Sequence, residues 1–482
     1  MAYKIGDRMQ ATFLPPVIND YIGGKDPVRV YDSFVEALDF NELGISLTDY
    51  KAGADEYYPK AMLKLIIYGY SYGIRSSRKL ERACHHNLSF IWLMTDLKPD
   101  YRTIARFRGQ YKEAIKKVLK QCVRVCLNLD LIEGNVFFTD GSKFRANASI
   151  NNTRSKEGYE QYLKKTEEQI DQIINESEQI DAQEQDDRSL VRLKEPVHEK
   201  ARLINKIKDV LNRLNSGSQK HINSTDTDSV KAKNRQGTHA AYNVQSTVDG
   251  KHGLIVCAEA VSQSNDYNQL SQQVKTAAEV LGKNPGHVCA DAGYADVEDL
   301  RKIDPEINII VPSHKQAQKE NGRCPVQPFD KEHFVYDHQS DEYTCPAGGR
   351  LKFSDFPGIG KKRYQADGIE CRACIHFGDP AAGKCTKSED GRRIIRLVHE
   401  EFKEQTEANY KRPENQEIYK LRKEKVEHPF GHMKRNLGAG QFMLRGLPKV
   451  NAEVSLIATC FNIARMMTIV GIPQLLVKLA GS

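Results

Sequence analysis

No stretch of this chain is both long enough and free enough of polar groups to read as a membrane span. The most apolar segment, Val454 to Leu479, carries Asn462, Arg465, Pro473 and Lys478, so it reads as a buried C-terminal helix. The opening residues, MAYKIGDRMQ, lack the apolar core of an export signal, so no signal peptide is expected and a reducing compartment is. In that setting the 11 cysteines are expected as core residues or metal ligands, not disulfides. There is no large excess of one charge either. The net charge is +7, which points to a polyanionic partner only where cations cluster. The rest is ordinary for a globular protein: 39% hydrophobic and 28% charged residues over 482 positions. That length suits roughly two to four domains.

Residues 1–130 read as an all-helical N-terminal domain. Apolar residues recur at helical spacing in Val35–Leu38, Ala61–Tyr70, Leu80–Ala83 and Val118–Leu127, and Pro59 suits the first turn of a helix over Lys60–Tyr70. Cations gather at Arg75, Arg78, Lys79 and Arg82, and again at Arg102, Arg106 and Arg108. In the second group Asp100 is positioned to cap a helix carrying Thr103, Arg106 and Phe107. A helix, a turn and a basic helix fit a DNA-binding module, and a bundle with a charged exterior fits the same composition.

Short strand-like runs follow. GNVFFTD ends at Asp140, and HVCAD ends at Asp291. Tyr242–Val248 and Leu254–Ala260 flank the turn Asp249-Gly250, a helix is expected over Asp266–Leu281, and Ile307–Val311 is a further strand. Strands alternating with helices imply an α/β sheet with some parallel pairing. Two segments interrupt this pattern. Residues 151–220 carry heptad-like steps through Leu163, Ile170 and Ile173 and through Ile204, Ile207, Leu211 and Leu214, with a break at Gln183–Pro196, and read as a helical hairpin. Residues 315–415 are polar, Gly- and Pro-rich, and hold a cysteine cluster.

The stretch YKLRKEKVEHPFGHMK, Tyr419 to Lys434, holds a further acid, Glu427, among cations. Tyr419, Arg422, Val426, Phe430 and Met433 form one helical stripe, and Lys420, Glu427 and Lys434 share a second face. Two acids at strand ends and one on a later helix form a set suited to phosphoryl transfer. Carboxylate oxygens suit Mg²⁺, and a pair of such ions about 3.5–4 Å apart activates the attacking oxygen and stabilises the leaving one. Asp226 and Asp228 are candidate supporting or DNA-facing acids, and the basic segment Lys231–His239 is a candidate phosphate contact.

Cys345, Cys371, Cys374 and Cys385 form C-x25-C-x2-C-x10-C, with Cys324 and His376 as spare ligands. Four thiolates in a reduced, loop-rich segment suit a structural Zn²⁺, which would fold an insertion with little core of its own; unliganded thiols are the alternative.

The runs TDGSKFRANAS (Thr139–Ser149), AYNVQSTVD (Ala241–Asp249), ADAGY (Ala290–Tyr294) and VEHPFGHMKRNLGAGQFMLRGL (Val426–Leu447) together resemble the DDE transposases of bacterial insertion sequences, most of all the group numbered eleven-eighty-two. FLPP (Phe13–Pro16) and PDYRTIARFR (Pro99–Arg108) resemble the helical N-terminal domain of such proteins, so the likeness covers nearly the whole chain. It implies an RNase H-like mixed sheet with helices on both faces, built from residues 131–314 and 416–482. It also implies Mg²⁺ or Mn²⁺ dependence, and strand cleavage and joining at terminal inverted repeats in double-stranded DNA. The expected setting is the bacterial cytoplasm and nucleoid, away from any membrane, with a homodimer in the synaptic complex. By position Asp140, Asp291 and Glu427 match the catalytic triad. Tyr419, Arg422, Glu427 and Lys434 match the family signature around its glutamate, except that four residues instead of three separate Arg422 from Glu427. Arg422 and Lys434 are then candidate phosphate contacts, and Pro429 and Gly431 should bend the helix beyond Glu427. A catalytically silent DNA-binding repressor of the same descent, and a metal-dependent nuclease on the same fold, are the alternative readings.

Overall fold

The computed structural model describes residues 17–47, 56–181, 189–217, 219–234, 237–322 and 327–481. Phe13–Pro16, Cys324, Arg235, Gln236 and the first part of the expected hairpin break, residues 183–188, lie outside the described residues. The fold is mixed α/β, and the chain divides into two units: Met1–Asp266, Gln272–Gly286 and Lys423–Ser482 form one, Tyr267–Ser271 and His287–Arg422 the other.

Helix starts in the first unit follow the local chemistry. Pro59 opens the helix Pro59–Ser71, where its missing N–H costs nothing. Asp100 caps Tyr101–Gln110, its carboxylate accepting from the Thr103 N–H at 2.6 Å. The helix Lys112–Asn128 buries Ile115, Val118, Leu119, Cys122 and Cys126, and packs on the helix Leu447–Val470. Four strands form the sheet of this unit: β1 (Val136–Arg145), β2 (Val230–Asn234), β3 (Gly237–Asp249) and β4 (Ile255–Val261). All pairings are antiparallel, and β3 pairs with each of the other three.

The helix Leu447–Val470 has the length and composition to cross a membrane, yet 67% of its apolar window is buried inside the fold. Its buried polar residues explain the placement. The Asn462 amide accepts from the Ile255 N–H at 2.9 Å and donates to the Ile255 carbonyl at 2.8 Å. Asn451 does the same for Ala260, at 2.6 and 3.3 Å. Two side chains thus satisfy backbone groups of β4 that would otherwise be buried without partners.

The helical hairpin consists of Lys156–Asp181 and Ser189–Ser216. The second helix therefore begins before Pro196, earlier than the sequence pattern suggests, with the proline inside it. Tyr159, Ile207, Val210, Leu214 and Ile222 form its own small core.

In the second unit, β5 (His287–Cys289) and β6 (Asn308–Ile310) pair in parallel. An antiparallel sheet of five strands follows, in chain order: β7 (Val335–Asp337), β8 (Glu342–Thr344), β9 (Arg350–Gly358), β10 (Lys361–Ala366) and β11 (Arg393–Leu397). This corrects the expectation of a segment with little core. Tyr343, Leu351, Tyr364 and Ile394 are buried with Phe329 and Phe334, and Tyr343 meets Tyr364 edge-on at 5.2 Å. Arg396 lies 3.7 Å above the Tyr336 ring.

Candidate active site

Asp140 stands in the middle of β1, opposite Ser246 of β3. Strand alternation puts Ser142 and Phe144 on its face and Gly141 and Lys143 on the other. The helix Pro413–Arg435 contributes to the Asp140 face from its last turns, where Val426, Phe430 and Met433 are buried as the stripe requires. The Lys434 ammonium donates to Ser142 Oγ at 2.5 Å and lies 4.6 Å from the Phe144 ring centre, while Phe430 packs 6.2 Å from the same ring. Burial lowers the pKa of Lys434, whereas the neighbouring Asp140 carboxylate favours its charged form and Lys143 disfavours it. A half-buried cation beside an acid of the expected triad is the central electrostatic feature of this unit.

Glu427 is exposed, two turns before Lys434 on the same helix. That helix runs on through Pro429 and Gly431 to Arg435, so the residues where the sequence expects a bend lie inside it. The apolar stripe on both sides of Pro429 holds its two halves to one support.

The opposite face of β1 explains two further motif residues. Asn243 and Gln245 of β3 each donate to Asp266 Oδ1 at 2.7 Å, and Lys143 stands 3.8 Å from that oxygen. A Cβ on Gly141 would meet Asp266 Oδ1 at 2.3 Å, so the residue beside Asp140 must be glycine for this carboxylate to dock. The role of Asp266 was not evident from its position in the sequence; the Asn-x-Gln spacing, which puts two amides on one strand face, was the available signal.

Asp291 belongs to the second unit, just beyond the end of β5, and accepts from the Gly293 N–H at 2.7 Å. In the same unit the Arg422 guanidinium lies 5.7 Å from the Tyr419 ring, and Tyr419 meets Tyr410 edge-on at 5.0 Å. Burial raises the Tyr419 hydroxyl pKa, Arg422 lowers it, and Cys289 and Asp291 add to the rise, so these groups share one electrostatic neighbourhood.

Among the expected DNA contacts, Arg102 and Arg106 are exposed one turn apart, and Arg78 and Arg102 approach the Tyr101 ring at 5.0 and 5.7 Å. Arg108 corrects the expectation. It is 7% exposed, donates to the Arg75 carbonyl at 2.7 Å, and bonds Ser77 Oγ. Arg75 is likewise withdrawn, bound to Glu453 at 3.1 Å. Asp226 and Asp228 serve the fold as well. Asp226 accepts from the Tyr242 hydroxyl at 2.7 Å and the Gly446 N–H at 3.1 Å, and Asp228 accepts from the Leu447 N–H at 2.8 Å, at the start of the long apolar helix.

Among the described residues, no three His, Cys, Asp or Glu side chains stand together as a ready-made metal site. The donor chemistry around Asp140, carboxylate oxygens with a lysine nearby, fits a hard cation that carries phosphate oxygens.

Two family models match the chain: a transposase DDE domain over residues 344–467 and a transposase domain of the DUF772 type over residues 16–110. These matches support a DDE transposase of insertion sequences. The first spans the cysteine cluster, Arg422, Glu427 and Lys434, and the second spans Arg102, Arg106 and Arg108; Asp140 and Asp291 fall outside both. DDE transposases generally use divalent metals such as Mg²⁺. No curated protein and no solved structure matches the chain.

Proposed function

We propose that this transposase binds the terminal inverted repeats of its own element and catalyses strand cleavage and strand transfer. The fold we assign is an RNase H-like catalytic core with a helical DNA-binding N-terminal domain, in the eleven-eighty-two group. The observation that carries the reading is Lys434, half-buried on the Asp140 face of β1 and on the same helix as Glu427. A lysine held there is costly to desolvate, and it repays that cost when a phosphate sits beside it. Asp140, Asp291 and Glu427 are the acids proposed to hold Mg²⁺ or Mn²⁺. When bound, the metal supplies Lewis-acid stabilisation of the attacking and leaving oxygens. Asp140 and Glu427 furnish carboxylate oxygens, Lys434 holds a phosphate oxygen and balances charge, and Arg422, kept in place by Tyr419, is a second phosphate contact. Arg102 and Arg106 contact the backbone of the repeat. Two ends must be joined to one target, so the working form is a homodimer.

The test uses purified protein, Mg²⁺, a labelled element-end duplex and a plasmid target. Wild type should join strands. Asp140→Ala, Asp291→Ala and Glu427→Ala should each lower joining by at least about a hundredfold, since loss of an outer-shell partner alone costs 10–100-fold. Repeat binding should persist in all three. Binding without cleavage by the wild type would indicate a repressor, and cleavage without joining a nuclease.

A further inference from the structure

We propose that the second unit carries a structural zinc site built from Cys345, Cys371, Cys374 and Cys385. The proposal does not rest on the transposase reading. The four thiols and His376 line one cavity of about 460 Å³, together with Phe329, Leu351 and Arg392. They reach it from three places: the turn after β8, the end of the short helix Gly368–Ala373, and the loop before β11.

Each place is arranged to present sulfur. In the turn Cys345-Pro-Ala-Gly-Gly349, the Cys345 N–H donates to the Gly349 carbonyl at 2.8 Å and the Gly348 N–H donates to the Cys345 carbonyl at 2.9 Å. The Gly349 N–H then points at Cys345 Sγ, at 3.1 Å. Gly348 has φ +87°, a conformation that favours glycine. In the second loop, the His376 N–H lies 3.5 Å from Cys374 Sγ, and the Cys385 N–H donates to the His376 carbonyl at 2.8 Å. Backbone N–H groups directed at sulfur complement the charge of a metal-bound thiolate.

The cavity is bordered by one carboxylate, Glu370, and one guanidinium, Arg392. The Arg392 Nε is buried with no hydrogen-bond acceptor. Cys345, Cys371, Cys374 and Arg392 all lie within electrostatic reach of Cys385. Four thiolates around Zn²⁺ leave a net charge of −2, which these N–H donors and Arg392 complement.

The thiols do not yet stand at ligand spacing. Rotation about χ1 carries a sulfur about 3 Å between staggered positions, so closure needs side-chain rotation and a small movement of the loops. Binding is an exchange with no redox change: four thiols release four protons, and four Zn–S bonds form. Zinc affinity should therefore rise with pH.

The test begins with metal analysis of full-length protein purified without chelator. About one zinc per chain is expected, with X-ray absorption showing sulfur neighbours at about 2.3 Å. A strong chelator should remove it and lower the thermal midpoint, and added zinc should restore both. The Cys371→Ser/Cys374→Ser double variant should lose the metal. If that variant does not fold, the chelation and restoration of wild type decide the matter. Wild type that takes up no zinc after zinc-loaded purification overturns the proposal. So does zinc retained in the double variant, or iron with visible charge-transfer bands in its place.

Discussion

At the scale of single residues, the most consequential group outside the site is Glu453. It is fully buried, pairs with Arg75 at 3.1 Å, and accepts from the Met443 and Leu444 N–H groups at 3.0–3.1 Å. Arg75 spends its other donors on the Gln441 and Gly438 carbonyls, at 2.8 and 2.6 Å. The pair therefore ties the turn before Ser77–His86 to the chain that follows the Glu427 helix. Glu453→Ala leaves a buried guanidinium without its carboxylate, and should cost about 3–5 kcal/mol in denaturant unfolding. A loss under about 1 kcal/mol would mean that Arg75 rehydrates freely. The pH dependence has a definite sign. Burial raises the Glu453 pKa above the ordinary glutamate value, despite Arg75 and the two N–H donors. The folded state then holds the proton more tightly than the unfolded state. This contribution is complete below the unfolded value of about 4.3 and is lost as pH rises through the folded one. Glu453→Gln should remove that slope, visible as the wild-type minus variant difference in stability between acid and neutral pH.

At the scale of elements, the sequence was most legible where one residue type has one local use. Pro59 and Asp100 mark helix starts, and the runs GNVFFTD and HVCAD carry strands, although β1 runs on to Arg145 and so places Asp140 in mid-strand instead of at the expected strand end. The stripe through Val426, Phe430 and Met433 is buried as its spacing requires. Legibility failed where a residue's role depends on a partner distant in the chain. Arg108 reads as a surface cation until Arg75 and Ser77 are seen to take its donors. Asp226 and Asp228 read as supporting or DNA-facing acids until the N–H groups of Gly446 and Leu447 are seen to meet them. Asn462 is the informative case among elements, since it counted only against a membrane span until β4 was seen beside it. Asn462→Leu should leave the Ile255 N–H and carbonyl buried without partners and cost about 1–3 kcal/mol. Hydrogen exchange should quicken at Ile255 while the Ala260 amide, held by Asn451, stays protected; equal loss at both would mean that the whole helix has loosened. Gly141→Ala is the matching probe in β1, where the added Cβ must displace Asp266. A stability loss of about 1–3 kcal/mol is expected from that overpacking.

For the whole molecule, the proposed function asks how a chain of modest net charge would engage a polyanion. The overall charge of +7 is too diffuse to guide DNA by itself, so the contact must be local. Exposed Arg78, Lys79, Arg82, Arg102 and Arg106 are the cations proposed to supply that concentration in the N-terminal helices, with Tyr101 between Arg78 and Arg102. Each phosphate neutralised releases condensed counterions, so the logarithm of affinity falls with the logarithm of salt by about 0.9 per contact. Arg102→Ala/Arg106→Ala should therefore flatten the salt dependence of repeat binding by about 2 in slope, leaving the unfolding midpoint nearly unchanged. Arg108→Ala makes the opposite prediction, because its donors are used inside the protein. It should lower the unfolding midpoint by several degrees while the salt slope of the remaining folded protein stays as in wild type. Fluorescence anisotropy on a labelled repeat across a salt series, paired with thermal unfolding of the same samples, separates the two effects. If Arg108→Ala reduces the slope and Arg102→Ala/Arg106→Ala does not, the DNA-facing side of the helix Tyr101–Gln110 is the reverse of the one assigned.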